Sequence, residues 1–483
     1  MNRRNYALHL TLAGGLILLA AVAGQVSRWE WTPEARAPRV RVEERVKEPR
    51  DNVAQFSDED EVGELLGEAE VLVRFRPGTS RERIEQIAGG LNDGVEDEVE
   101  AVDGLYSIDD EDGRPAADVA AEYASLPEVE YAEANDVIRA EPLEGRSIRG
   151  HFLPSFDGGP NDPLFMEQWG LVNTGHRDGK QGADVSALYA WSKTRGSGEV
   201  VVAVLDSGVD YTHEDLQGNM WHRPDYLDLY VDDELGLIDD YDGFSALDSD
   251  RDPMDENGHG THCAGVIGAE GDNKLGVTGV NWRVQIMPLK FMGKGGFGST
   301  KDAIEAINYV IQRKRDGVPV RVISASWGSR QKSRALEDVI RRAGDEGILF
   351  VAAAGNDGKD ADRFPHFPSN YKLLNVMAVA ALDRRDQLAS FSNYGAKGVH
   401  LAAPGKEILS TWLRNGYEEH SGTSMATPFV AGVAGLVLAN EPNLSVKELR
   451  ERLLGTVDKL DSLQGKVSSG GRLNAARAVG ATK

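Results

Sequence analysis

Three short stretches of this chain each carry one side chain suited to acid–base chemistry. Val202–Asp210 (VAVLDSGVD) offers a carboxylate at Asp206, Asn257–Gly265 (NGHGTHCAG) an imidazole at His259, and Ser421–Pro428 (SGTSMATP) a hydroxyl at Ser424. A serine hydroxyl is a weak nucleophile at neutral pH. It needs a base to take its proton, and that base needs an acid to orient it and stabilise its cation. Asp206 closes a run too apolar for an unpaired carboxylate, so a buried partner is expected. Small neighbours around His259 leave room for its ring. Ser424 opens a segment, Ser424–Asn440, that is apolar on every side and predicts a buried helix. A serine there meets the positive helix terminus and an amide without an intrahelical partner, a setting for an oxyanion. Asn356, after Ala352-Ala353-Ala354-Gly355, could aim an amide NH₂ at the same charge. Taken singly, each residue has another reading: a turn-capping Asp, a His that with His262 suggests a metal pair, an N-cap Ser, a turn Asn.

The elements that must position these groups alternate strand and helix. Val200–Leu205, Gln285–Phe291, Val320–Ala325, Ile348–Ala354 and Leu374–Ala381 are short runs rich in Val and Ile. Amphipathic stretches such as Lys301–Lys314 and Ala335–Glu346 lie between them. This predicts an α/β fold, a doubly wound parallel sheet flanked by helices on both faces. Ligands in such folds bind beyond the carboxyl ends of the strands, where Asp206 and Asn356 fall. Ser445 to Glu448 reads as a capping box opening a late helix.

Residues 68–142 form a separate acidic domain on this reading. Strands at Val71–Phe75, Leu105–Ile108 and Val129–Glu133 alternate with helices at Arg81–Leu91 and Ala116–Ser125, a small ferredoxin-like α+β pattern. Val137-Ile138 continues the apolar spacing weakly. Residues 1–23 combine a basic start, an apolar run and Ala21-Val22-Ala23, which predicts a signal peptide or, if uncleaved, an anchor. Residues 24–67, rich in Pro, Arg and Glu, read as a disordered linker. The net charge of −25 argues against nucleic acid as a partner, since little here would neutralise phosphates. The single cysteine, Cys263, allows no intrachain disulfide.

In the chain order Asp, His, Ser, these motifs resemble the subtilase family of serine endopeptidases, nearest in look to its thermitase- and proteinase-K-like members. The resemblance runs from Asn161-Asp162-Pro163-Leu164-Phe165 to Val479. It implies an acyl-enzyme mechanism with Ser424 as nucleophile, His259 as base, Asp206 as its partner and Asn356 in the oxyanion hole. Protein or peptide substrates would add as a strand beside Ser326, Trp327 and Gly328 on one side and Gly296 to Gly298 on the other. Gly355 would leave room for an apolar side chain. The 68–142 domain would be a propeptide that inhibits its own enzyme, with maturation cleavage near or within the connector 143–159 and the catalytic domain spanning 160–483. The membrane would matter only for export or for an uncleaved anchor.

The resemblance also implies structural Ca²⁺. Asp162, Asp215 and Asn273, with carbonyls near Leu275 and Val277, match one site. Asp250, Asp252 and the Met254 carbonyl match a second, weakened where Ser245 stands in place of an acid. Cys263 matches a cysteine beneath the catalytic His and implies mercurial sensitivity, or packing alone. Phe429 departs from the family's His, which predicts altered packing and intact chemistry. Two other functions stay open, a peptide-binding pseudoprotease and an esterase.

Overall fold

The computed structural model describes residues 69–140, 145–147, 158–232, 236–247 and 251–481. The expected signal peptide, the linker and Asp250 lie outside these residues. Among the described residues the largest sheet has nine strands. Gly196–Asp206 runs through it, with Arg283–Lys290 on one side and Val320–Ala325 on the other. Leu349–Ala353, Val376–Leu382 and Leu401–Pro404 extend the second side, and all these pairs are parallel. The chain enters mid-sheet and winds first one way, then the other. Asp206 therefore ends its strand near the switch in winding, where such sheets open a crevice.

Side-chain alternation along the central strand divides two cores. Val200, Val202 and Val204 pack with the His259–Gly268 and Thr423–Asn440 helices. Val201, Ala203 and Leu205 pack with the Thr300–Arg315 and Arg334–Asp345 helices. Burial on both faces explains why these strands read as unbroken apolar runs. The doubly wound α/β fold is thus the observed one. Thr423–Asn440 is apolar enough to cross a membrane, but 89% of it is buried inside the protein.

Upstream, four antiparallel strands and two helices build a smaller layer. Leu105–Asp110 and Val129–Ala134 flank Ala69–Phe75, and Asp93–Glu98 lies outermost. Ile84, Ile87, Val119 and Tyr123 of the helices cover Val71, Val73 and Ile108. Asp93–Glu98 (DGVEDE) is a strand the sequence pattern does not predict, because it carries one apolar residue. Val137–Ala140 leaves this sheet instead of extending it.

The small layer docks on the amino ends of two helices, whose first N–H groups lack partners of their own. Glu133 accepts from the amides of Arg334 (2.9 Å) and Ala335 (3.1 Å), placing a carboxylate at a positive helix terminus. The Asn135 side chain accepts from Lys301 N at 2.9 Å, and the Asp136 carbonyl from Thr300 N at 2.9 Å. Arg74 pairs with Asp338, to which the Tyr131 hydroxyl donates at 2.9 Å.

Candidate active site

Asp206 ends the central strand with no solvent exposure. A buried carboxylate needs donors, and it has two. His259 Nδ1 lies 2.6 Å from Asp206 Oδ1, and the Ser207 amide donates to the same oxygen at 2.8 Å. A carboxylate can only accept, so the proton belongs on Nδ1 and Nε2 is the basic nitrogen. His259 opens its own helix, fully buried, directly after Gly258, whose φ of +104° suits glycine. Gly260 is required by close approach: a Cβ there would lie 2.0 Å from the Gly208 carbonyl.

One helical turn on, the Cys263 thiol lies 3.6 Å from the Ser424 carbonyl, which joins the His259 helix to the Ser424 helix. Ser424 is buried in the first turn of Thr423–Asn440. Its hydroxyl donates to the Ser326 carbonyl at 2.9 Å, and the Ser326 hydroxyl donates back to the Ser424 carbonyl at 2.8 Å. Asp206, His259 and Cys263 thus lie together, buried, and the Cys263 thiol brings the start of the Ser424 helix against them.

Asn356 lies beside it. Its Oδ1 accepts from Thr423 N (2.9 Å) and Thr423 Oγ1 (3.0 Å), so its NH₂ faces the other way, near Gly422. Thr423 Oγ1 also accepts from the Gly355 amide at 3.1 Å. Thr423 therefore fixes the Asn356 orientation, a role the sequence pattern does not reveal. Gly355 has φ of +96°, and a Cβ there would meet Asn393 Nδ2 at 2.4 Å and His366 Cδ2 at 2.9 Å. That close packing, with the positive φ, requires glycine at this position.

Asp255 is the second residue missed. It is buried and accepts five hydrogen bonds: from Ser207 Oγ (3.0 Å), the amides of Asn257, Gly258 and Thr261 (each 2.9 Å) and Thr261 Oγ1 (2.6 Å). It ties the residue after Asp206 to the start of the His259 helix. Its position four residues before His259 is the signal, hidden within an acidic run that resembles a metal loop.

Val137–Ala140 lies between two edge strands that lead to this cluster. It is antiparallel to Phe297–Ser299, with Ile138 opposite Gly298, and to Trp327–Gly328, with Ala140 opposite Trp327. The Ala140 amide donates to the Gly296 carbonyl at 2.8 Å. Gly298 and Gly328 have no room for a Cβ, which would come 1.9 Å from Phe291 O and 2.1 Å from the His366 ring. Beyond 141–144, Arg146–Ser147 pairs with Glu419 and Glu418 of Gly416–His420, and Gly145 sits against the His420 ring.

His262 is fully buried, with Nε2 at 3.0 Å from the Ile408 carbonyl and 3.1 Å from that of Glu418. Burial holds its pKa well below the usual value, so it bonds as a neutral ring. Cys263 is also fully buried, which pushes its thiol up. Phe429 is 3% exposed and fills space against Gly170.

Asp162, Asp215 and Asn273 converge. Asn273 Nδ2 donates to Asp215 Oδ1 at 2.7 Å, and the Asn273 amide donates to Asp162 Oδ1 at 3.1 Å. The Leu275 and Val277 amides turn inward to Asn273 Oδ1 (2.7 Å) and Asp215 Oδ2 (2.9 Å). Burial raises both carboxyls, Asp215 to about 7, with Asp162 adding repulsion. Two adjacent buried carboxylates and an amide oxygen are a donor set for a hard cation. The second predicted set fits less well. Asp252 is exposed, and the Met254 carbonyl accepts from Lys290 Nζ at 3.0 Å, an ammonium that a metal ion there would oppose.

A parallel α/β sheet with this cluster at the carboxyl end of its central strand defines a class of hydrolase. The profile of the Subtilase family matches residues 197–480. A thermophilic serine proteinase of Bacillus sp. (strain AK1) is 36% identical over 354 residues, covering 73% of each chain. Thermitase of Thermoactinomyces vulgaris is 34% identical over 321 residues, 66% of this chain and 99% of the relative. A halolysin-like extracellular serine protease of Natrialba magadii is 35% identical over 324 residues, 66% of this chain and 52% of the relative. The chain belongs to the subtilase family and is a subtilisin-like serine endopeptidase.

Replacing Asp255 with Ala leaves five donors without an acceptor in a buried site. The expected result is a loss of about 3 kcal/mol or more in unfolding free energy together with a lower kcat, read by denaturant titration and peptide hydrolysis.

Proposed function

We propose that the protein is a secreted endopeptidase made as a self-processing zymogen. The observation that carries this reading is the buried Asp206–His259 hydrogen bond beside Ser424, with the chain's own Val137–Ala140 strand paired along the edges leading there. Ser424 turns from the Ser326 carbonyl toward His259 Nε2, which takes its proton as Oγ attacks the peptide carbonyl. Asp206 holds the ring and stabilises its cation. The oxyanion is received by Asn356 Nδ2 and the Ser424 amide, which lies in the helical turn where N–H groups lack intrahelical partners. His259 then protonates the leaving amine, and water hydrolyses the acyl-enzyme. A peptide strand held by Gly296, Gly298, Trp327 and Gly328 through its backbone explains tolerance of varied substrates.

On this reading residues 68–142 are the propeptide, and Val137–Ala140 occupies the place of substrate. Val137–Ala140 and Arg146–Ser147 pair with different strands of the catalytic portion, which supports a maturation cut between them. The expected signal peptide and the extracellular Natrialba relative support export. Asp162, Asp215 and Asn273 would hold Ca²⁺, which when bound neutralises the two carboxylates and favours the native state.

Ser424→Ala is expected to abolish both peptide hydrolysis and conversion of the full-length chain, followed by gel and intact mass. Persistence of either in purified protein contradicts the assignment. Chelation is expected to lower the melting temperature reversibly. A hundredfold calcium excess over Kd is worth about 2.7 kcal/mol, and an unchanged melting curve in EDTA removes calcium from the account.

A further inference from the structure

Where the N-terminal layer meets the Thr300–Arg315 helix, several acids of the described residues are buried close together. Glu305 on that helix is 5% exposed, and neither carboxylate oxygen accepts a hydrogen bond from a described residue. Facing it are Asp97 and Glu100 of the N-terminal layer, Asp232 of the catalytic portion, and Lys301 one turn earlier on its own helix. Asp97 and Asp232 are buried too, and Asp97 Oδ1 has no hydrogen-bond donor. The Tyr230 ring carries its hydroxyl toward the same four acids. Alongside, Lys301 Nζ lies 3.3 Å from Glu70 Oε1 and 2.8 Å from Glu96 Oε2, and Asp109 adjoins those two carboxylates.

Ionised carboxylates this close and this dry repel one another and lose their hydration. Protons or a metal ion must neutralise some of them. The geometry favours protons. Outside the active site, the one acid triple with oxygens within 4.8 Å of one another among the described residues is Glu70, Glu96 and Asp109. Lys301 already serves two members of that triple. Burial pushes Glu70 up to about 8 and Asp97 to about 7, and raises Glu305 well above the carboxylate range, with neighbouring acids adding to each shift.

These groups come from both sides of one junction. Separation returns them to water and to their ordinary acidity, so the docked state binds protons that the separated state does not. Docking is therefore strongest below the ordinary carboxylate pKa and weakens as pH rises toward about 8. Resting on the reading of the N-terminal layer as an intramolecular inhibitor, we propose that this junction is a proton-dependent clasp. It holds the inhibitor over the active site in acidic surroundings and lets it go as they turn alkaline.

The full-length Ser424→Ala chain, which on that reading stays uncut, provides the test. Amide hydrogen exchange of Val137–Ala140 is followed from pH 5.5 to 8.5, corrected for the intrinsic pH dependence, with EDTA and with calcium in parallel. Protection is expected to fall about tenfold or more with rising pH, the change that release of one proton per pH unit produces. Asp97→Asn and Glu305→Gln, made singly from opposite sides of the junction, should each flatten that fall, because an amide cannot ionise. Protection independent of pH, or an unaltered fall in both variants, overturns the clasp. Loss of protection on adding EDTA at pH 5.5 also overturns it, in favour of a metal-held junction. The protease reading fails by a different sign: a wild-type chain that neither converts nor reacts with a serine-directed fluorophosphonate.

Discussion

A carboxylate sealed from water at the end of the central strand constrains everything around it. Asp206 cannot be left without donors in so apolar a setting. Its main donor is the His259 ring, so the His259 helix must begin where the strand ends. That demand accounts for the glycines on either side of the imidazole, one for its backbone conformation and one for its closeness to Gly208. It also accounts for Asp255, which binds Ser207 and the first turn of that helix together. The ring is oriented before any substrate arrives, which is what a general base needs to act without reorganisation.

The same accounting of polar groups explains the N-terminal layer. Edge strands and helix amino ends carry backbone groups that seek partners. Phe297–Ser299 and Trp327–Gly328 receive Val137–Ala140 between them, and two helices receive Glu133 and Asn135 at their open ends. Both interactions use backbone atoms of the catalytic portion. A segment can therefore fill the cleft with few demands on its own side chains. At the acidic junction the logic runs the other way: there side-chain charge, not backbone pairing, sets the cost of staying docked.

Elements buried on both faces were legible from the sequence because their apolar runs leave one reading. The motifs around Asp206, His259 and Ser424 were legible because each joins a reactive group to small residues and a nearby element end. The Asp93–Glu98 strand was not, since its pairing with Leu105–Asp110 is made by backbone while its side chains are acidic. Leu401–Pro404 is too short to stand out. Thr423 and Asp255 escaped because their importance lies in which distant atoms they meet, Asn356 and Ser207, and no local pattern encodes that. The contacts of the Met254 carbonyl and of Gly355 escaped for the same reason: Lys290, Asn393 and His366 arrive from elsewhere in the chain.

The rate at which Ser424 is acylated in Asp206→Asn protein tests the central claim most directly. A rapid-quench reaction with an activated ester, mapped by mass spectrometry, reports that single step. An amide in place of the carboxylate can donate to Nδ1, moving the proton to Nε2 and removing the base. The account predicts acylation about ten-thousandfold slower than in the unsubstituted chain, with the label still on Ser424. Acylation at the original rate, or a label on another residue, would contradict it.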